Sequence, residues 1–189
     1  MTRNQPTIDG NRREEEIADE QAYLTVARRL RHAGRPIIGL WPVPLSATFD
    51  DLPRRLAVAL ASWGVTVGLV APRECWHRNT SPEQLLVANL DESVDFLTPG
   101  CAGVRTPSIA VEQALALVRH RYASILVDFS GLEEPEAREM SLLPGLAVLF
   151  LVAQGRVSEF ALTRLRRQIP AERLAGALLV TSTRRAFWS

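Results

Sequence analysis

The chain has 189 residues, 47% hydrophobic but only 6% aromatic, with 22 basic against 21 acidic side chains and a net charge of +1. One domain with an aliphatic core is the expected size class. The near-neutral balance excludes a strong overall field for nucleic acid or anionic lipid, and two cysteines exclude a disulfide framework. All 22 basic residues are arginine, which excludes a phosphate-binding loop of the G-x-x-x-x-G-K-[ST] type, because its lysine ammonium neutralises the β/γ-phosphates.

Residues 1–12 are polar and are expected to be frayed, leaving 13–189 as a single domain. The N-terminus, with Arg12 and Arg13 before Glu14, Glu15 and Glu16, does not read as a signal peptide. From Glu14 to His32, apolar residues at Ile17, Tyr23 or Leu24, Ala27 and Leu30 recur at helical spacing. Gly34 ends that helix. Pro36 to Trp41 reads as a buried strand, after which Pro42 and Pro44 predict an extended loop. Leu52 to Trp63 predicts a helix, with Asp50 or Asp51 able to cap it and Pro53 in its first turn. Val65 to Val70 is apolar without alternation, as in a parallel strand covered on both faces.

Glu83 to Leu90 reads as a short helix after Ser81-Pro82, and Val94 to Leu97 as a short strand closed by Thr98-Pro99-Gly100. Ser108 to Arg121 predicts an amphipathic helix. Ser124 to Asp128 is an apolar strand ending in a carboxylate. A helix is expected over Glu134–Leu143, a buried strand over Ala147–Val152, a helix over Ser158–Gln168 and a last strand over Gly176–Val180. This alternation predicts a three-layer α/β/α fold with a mainly parallel sheet. The longest apolar run, Leu142 to Ala153, is too short to span a bilayer and is broken by Pro144-Gly145. The chain therefore reads as cytoplasmic.

Four segments resemble the MinD/ParA class of nucleotide switches, and within it the cytoplasmic domain of the bacterial tyrosine kinases of capsule and exopolysaccharide synthesis. Gln21-Ala22-Tyr23-Leu24-Thr25 is similar to the family's Glu-Ala-Tyr-Arg-Thr helix. Val94-Asp95-Phe96-Leu97-Thr98-Pro99-Gly100 is similar to its Leu-Asp-Val-Leu-Pro-x-Gly strand and turn. Tyr122 to Asp128 resembles the Tyr-Asp-x-x-Ile-Ile-Asp strand that ends in the Walker B carboxylate, and Val152 to Ser158 resembles Val-Arg-x-Gly-x-Thr-Ser. The resemblance implies a P-loop NTPase-like fold. Counted back from Gly64 without gaps, it puts the loop glycines on Ser46 and Thr48 and the lysine on Phe49. The magnesium-binding hydroxyl and its neighbour fall on Asp50 and Asp51.

Each of these changes removes a physical requirement. Glycine lets the backbone approach phosphate, and carboxylates at a helix N-terminus repel the anion that site would otherwise attract. The family's second acidic pair falls on Ala71-Pro72-Arg73, so of its carboxylates only Asp128 remains. The family's oligomerising Glu-x-x-Arg-x-x-Arg falls on Gln21, Leu24 and Ala27, and its tyrosine-rich tail has no counterpart in Arg184 to Ser189. No catalytic residue, cofactor or metal is expected. Asp128 then reads as an acceptor fixing the loop near Ser130-Gly131, and Asp50-Asp51 as a helix cap.

The arginine clusters Arg28-Arg29-Arg31, Arg54-Arg55, Arg164-Arg166-Arg167 and Arg184-Arg185 read mainly as solvated faces. Trp41 and Trp63 are expected in or near the core. Cys75 and His77, with Cys101, read as loop residues rather than as zinc ligands or a nucleophile pair. Arg73, Trp76, His77, Phe187 and Trp188 are the candidate contacts to a partner, because arginine and aromatics dominate binding hot spots. The expected function is a non-catalytic protein-binding scaffold or regulator of a membrane-associated envelope polysaccharide synthesis or secretion system, placed peripherally at the inner membrane. Its partner would be an intact P-loop homologue, a cytoplasmic segment of a membrane protein, or a second copy, with no nucleic acid and no transmembrane segment. The alternatives are a residual nucleotide-binding switch, and an adaptor at a membrane or nucleoid surface.

Overall fold

The computed structural model describes residues 8–47, 49, 51–71, 85–100 and 106–180. They form one seven-stranded sheet of order β3-β4-β2-β5-β1-β6-β7. The strands are β1 (Ile37–Val43), β2 (Val67–Val70), β3 (Leu85–Asp91), β4 (Val94–Pro99), β5 (Ser124–Asp128), β6 (Leu146–Ala153) and β7 (Leu174–Val180). All pairings are parallel except β3 with β4. The described helices are α1 (Ile8–His32), α2 (Leu52–Ala61), α3 (Pro107–Val118), α4 (Glu134–Ser141) and α5 (Glu159–Arg166). Helix α1 starts at Ile8, earlier than its periodicity from Glu14 suggests. The three-layer α/β architecture expected from the alternation is the one observed.

Side chains of β1 alternate between two cores, because successive strand residues point to opposite faces. Ile37, Trp41 and Val43 join Phe129, Phe150, Val111 and Met140 beneath α3 and α4. Ile38 and Leu40 join Leu56, Leu60, Ala27 and Leu30 beneath α1 and α2. Leu56, Leu126 and Val148 are fully buried, and each such aliphatic side chain contributes about 1.5–3 kcal/mol relative to exposure. Trp41 anchors the first core, with ring centroids 5.8 Å from Phe129 and 6.0 Å from Phe150. That cluster sets a requirement on the neighbouring strand. A Cβ on Gly39 would lie 2.6 Å from Phe129 Cζ, so only glycine leaves room for the ring.

Three expectations are corrected. Residues 85–91 are an edge strand paired antiparallel to β4, not part of a helix over Glu83–Leu90. Leu85 to Leu90 is too short a window to separate the two by periodicity, and pairing across the Glu92-Ser93 turn decides in favour of the strand. Pro42 lies inside β1, opposite Leu151, rather than in an extended loop. The carbonyls of Pro36 and Leu40 accept from Ile125 and Phe129, so even-numbered residues of β1 direct their backbone polar groups towards β5. Strand β5 ends at Asp128 opposite Leu40, so the missing N–H of Pro42 forfeits no ladder bond. Trp63 is 42% exposed, just beyond α2, with the Arg31 guanidinium 5.8 Å from its ring centroid. A tryptophan one turn past a helix can cover an arginine stem as readily as a core.

Candidate functional site at the carboxyl edge of the sheet

Strand β1 connects to β2 through α2 on one face, passing over β5. Strand β5 connects to β6 through α4 on the other face, passing over β1. The loops after β1, β5 and β6 therefore diverge at one edge. Open α/β sheets place ligands at such switch points, outside the carboxyl ends of the strands. Two hollows lie there, one on each face.

The smaller hollow, about 190 Å³, is on the α2 side and is lined by Pro53, Arg54, Leu69, Ala71 and Asp128 among others. Asp128 closes β5, and its Oδ1 accepts the Ser130 backbone N–H at 2.9 Å. It is thus a loop-fixing acceptor, the role its position suggested. Of the segment after β1, Ser46 is exposed and Phe49 is half-buried against the α1/α2 core. Asp51 is exposed at the N-cap of α2, with helical backbone angles and no side-chain capping hydrogen bond. The side-chain cap expected of Asp51 is therefore not made, since an N-cap side chain reaches the helix N–H groups from extended backbone angles. Thr48 and Asp50 lie outside the described residues.

The larger hollow, about 820 Å³, is on the α4/α5 side. Trp41 to Leu45 and Leu132 supply an apolar floor, and Arg156, Arg164 and Gln168 come from the loop after β6 and from α5 and its end. The N-terminus of α5 is fixed by Ser158, whose Oγ accepts the Ala161 N–H at 3.2 Å. Gln168 Oε1 is buried and accepts no hydrogen bond among the described residues. Sequence reasoning passed over Gln168, because a glutamine at a helix end reads as solvated. A third hollow of about 450 Å³ lies between α1 and α2, where the Arg55 guanidinium sits 5.9 Å from the Tyr23 ring.

Arg73, Trp76, His77, Phe187 and Trp188, like Cys75 and Cys101, lie outside the described residues. His32 and His120 are exposed. Among the described residues, no group of three His, Cys, Asp or Glu side chains is placed to hold a metal. No described helix is long and apolar enough to cross a membrane.

No family model and no curated protein matches the chain. Solved structures do. The VpsO kinase domain superposes with a TM-score of 0.60 at 14% identity, over 92% of this chain and 98% of that one. The chimerical protein CapA2B2 superposes at 0.60 and 17% identity, over 83% and 82%. The kinase domain of the Escherichia coli tyrosine kinase ETK superposes at 0.54 and 17% identity, over 88% and 79%. At these identities the likeness is one of fold: the chain has the P-loop NTPase-like α/β fold seen in bacterial tyrosine kinase domains.

Proposed function

We propose that this chain is a non-catalytic member of that fold, lacking a working phosphate loop and acting as a protein-binding scaffold or regulator. One observation carries the reading. The place where the resemblance puts the phosphate-binding lysine is Phe49, turned against the α1/α2 core, and the exposed Asp51 stands at the helix N-terminus beyond it. Nor does the chain hold a lysine elsewhere that could stand in. A catalytic ATPase or kinase needs its phosphates cradled and their charge neutralised. A carboxylate at a helix start opposes both. The 190 Å³ hollow beside Asp128 is also smaller than the roughly 300–1,000 Å³ of ordinary small-molecule sites.

By the same resemblance, the setting is a membrane-associated system of envelope polysaccharide synthesis or secretion, with the chain peripheral at the inner membrane. The partner is an intact P-loop homologue, a cytoplasmic segment of a membrane protein or a second copy. Co-purification of the full chain from its native host tests this. The expected result is recovery of a glycan synthase, an exporter component or an intact P-loop homologue. Recovery of none of these contradicts it.

A further inference from the structure

We propose that the 820 Å³ cleft at the carboxyl ends of β1 and β6 is the docking groove for an acidic, apolar peptide segment of a partner protein. This deepens the scaffold reading and rests on it. Four charged side chains line the cleft: Glu133, Glu134, Arg156 and Arg164. The two carboxylates are already engaged. In the capping box of α4 the Glu133 side chain accepts the Glu136 backbone N–H, while Glu136 Oε2 accepts the Glu133 N–H at 2.9 Å. Glu134 pairs with Arg138 at 3.5 Å. The Arg156 and Arg164 side chains are exposed, and their guanidinium groups make no ion pair or hydrogen bond among the described residues. The charged side chains of the cleft that lack a partner are thus the two guanidinium groups, although the four groups sum to zero. Guanidinium groups in this state favour carboxylates, which they can bind in a bidentate fork.

The remaining features specify the rest of the ligand. The lining also includes the apolar residues Pro42, Pro44, Leu45 and Leu132, which suit aliphatic or aromatic side chains. Phe160 stands at the lip 78% exposed, available to close over such a side chain. Gln168 Oε1, buried beside the cleft, has no hydrogen-bond partner among the described residues. The chain's own residues 181–189 carry two arginines and no acidic side chain, so they do not complement Arg156 and Arg164.

A displayed library of random dodecapeptides, panned against the immobilised full-length protein, tests this. The expected outcome is enrichment of peptides combining Asp or Glu with large apolar residues. Their binding should fall by about tenfold or more in R156E/R164E and also in Phe160→Asp. All three positions are exposed, so unchanged circular dichroism and melting temperature will establish that the variants fold. Failure to enrich any peptide overturns the proposal. So does enrichment of peptides without acidic residues, equal binding to the variants, or displacement of the peptides by ATP. Repeating the native-host co-purification with R156E/R164E separates the two levels. A partner retained by the variant leaves the scaffold reading standing and removes this cleft from it, whereas a wild-type protein that recovers no partner removes the scaffold reading itself.

Discussion

Asp128 Oδ1 accepts the backbone N–H of Ser130 at 2.9 Å, so the carboxylate at the end of β5 holds the turn that follows it. The bond spans two residues and fixes the start of the connection leading to α4. Asp128→Ala leaves that N–H without its acceptor and should destabilise the fold by about 1–2 kcal/mol. Asp128→Asn keeps an acceptor oxygen and should cost less. Urea denaturation of the two variants gives the order. Millimolar magnesium should leave the melting temperature of wild type unchanged, because an ion that binds only the native state would raise it.

The Tyr122 hydroxyl donates to Asp95 Oδ2 at 2.8 Å across the β4 side of the first core. Burial, and then the hydrogen bond and negative charge of Asp95, push its pKa up to about 12. The neutral phenol is therefore favoured in the folded state. Below the ordinary value near 10 this contribution is fully present. As pH rises from there towards about 12, the unfolded chain releases the proton first and stability falls. In a Tyr23→Phe background only Tyr122 remains to be read by tyrosinate absorbance, and its midpoint should lie near 12. A midpoint near 10 would contradict the pairing. Tyr122→Phe should remove this component of the alkaline loss.

Gly39 and Phe129 are matched by contact: a methyl on the first meets the ring of the second at 2.6 Å. Gly39→Ala should cost about 1–3 kcal/mol as an overpacked core. Phe129→Leu introduced with it should recover part of that loss, a positive coupling measurable in a double-mutant cycle. Simple additivity would show that the strand moves aside instead.

Much of this architecture was legible from the chain. Apolar runs at Pro36 to Trp41, Ser124 to Asp128 and Ala147 to Val152 are the adjacent parallel strands β1, β5 and β6. Residues covered on both faces carry a pattern that does not depend on their neighbours. The edge was harder to read. Leu85 to Asp91 owes its strand conformation to β4, a partner that local propensity does not contain. Pro42 could be placed in β1 only once β5 was known to end at Asp128. Phe49 and Asp51 were identified by counting, but that Phe49 turns towards the α1/α2 core is a packing fact. The cleft was the least legible part. Its floor, its arginines and Gln168 come from three segments that only the crossover topology brings together, and that Arg156 and Arg164 are uncommitted is visible only after Glu133 and Glu134 are seen to be engaged elsewhere.

The most direct test of the scaffold reading is calorimetric titration of the purified full-length chain with ATP and magnesium, followed by assay of phosphate release. The account predicts no binding heat at millimolar nucleotide and no turnover. Micromolar affinity, or turnover abolished by Asp128→Ala in a protein that remains folded, would contradict it.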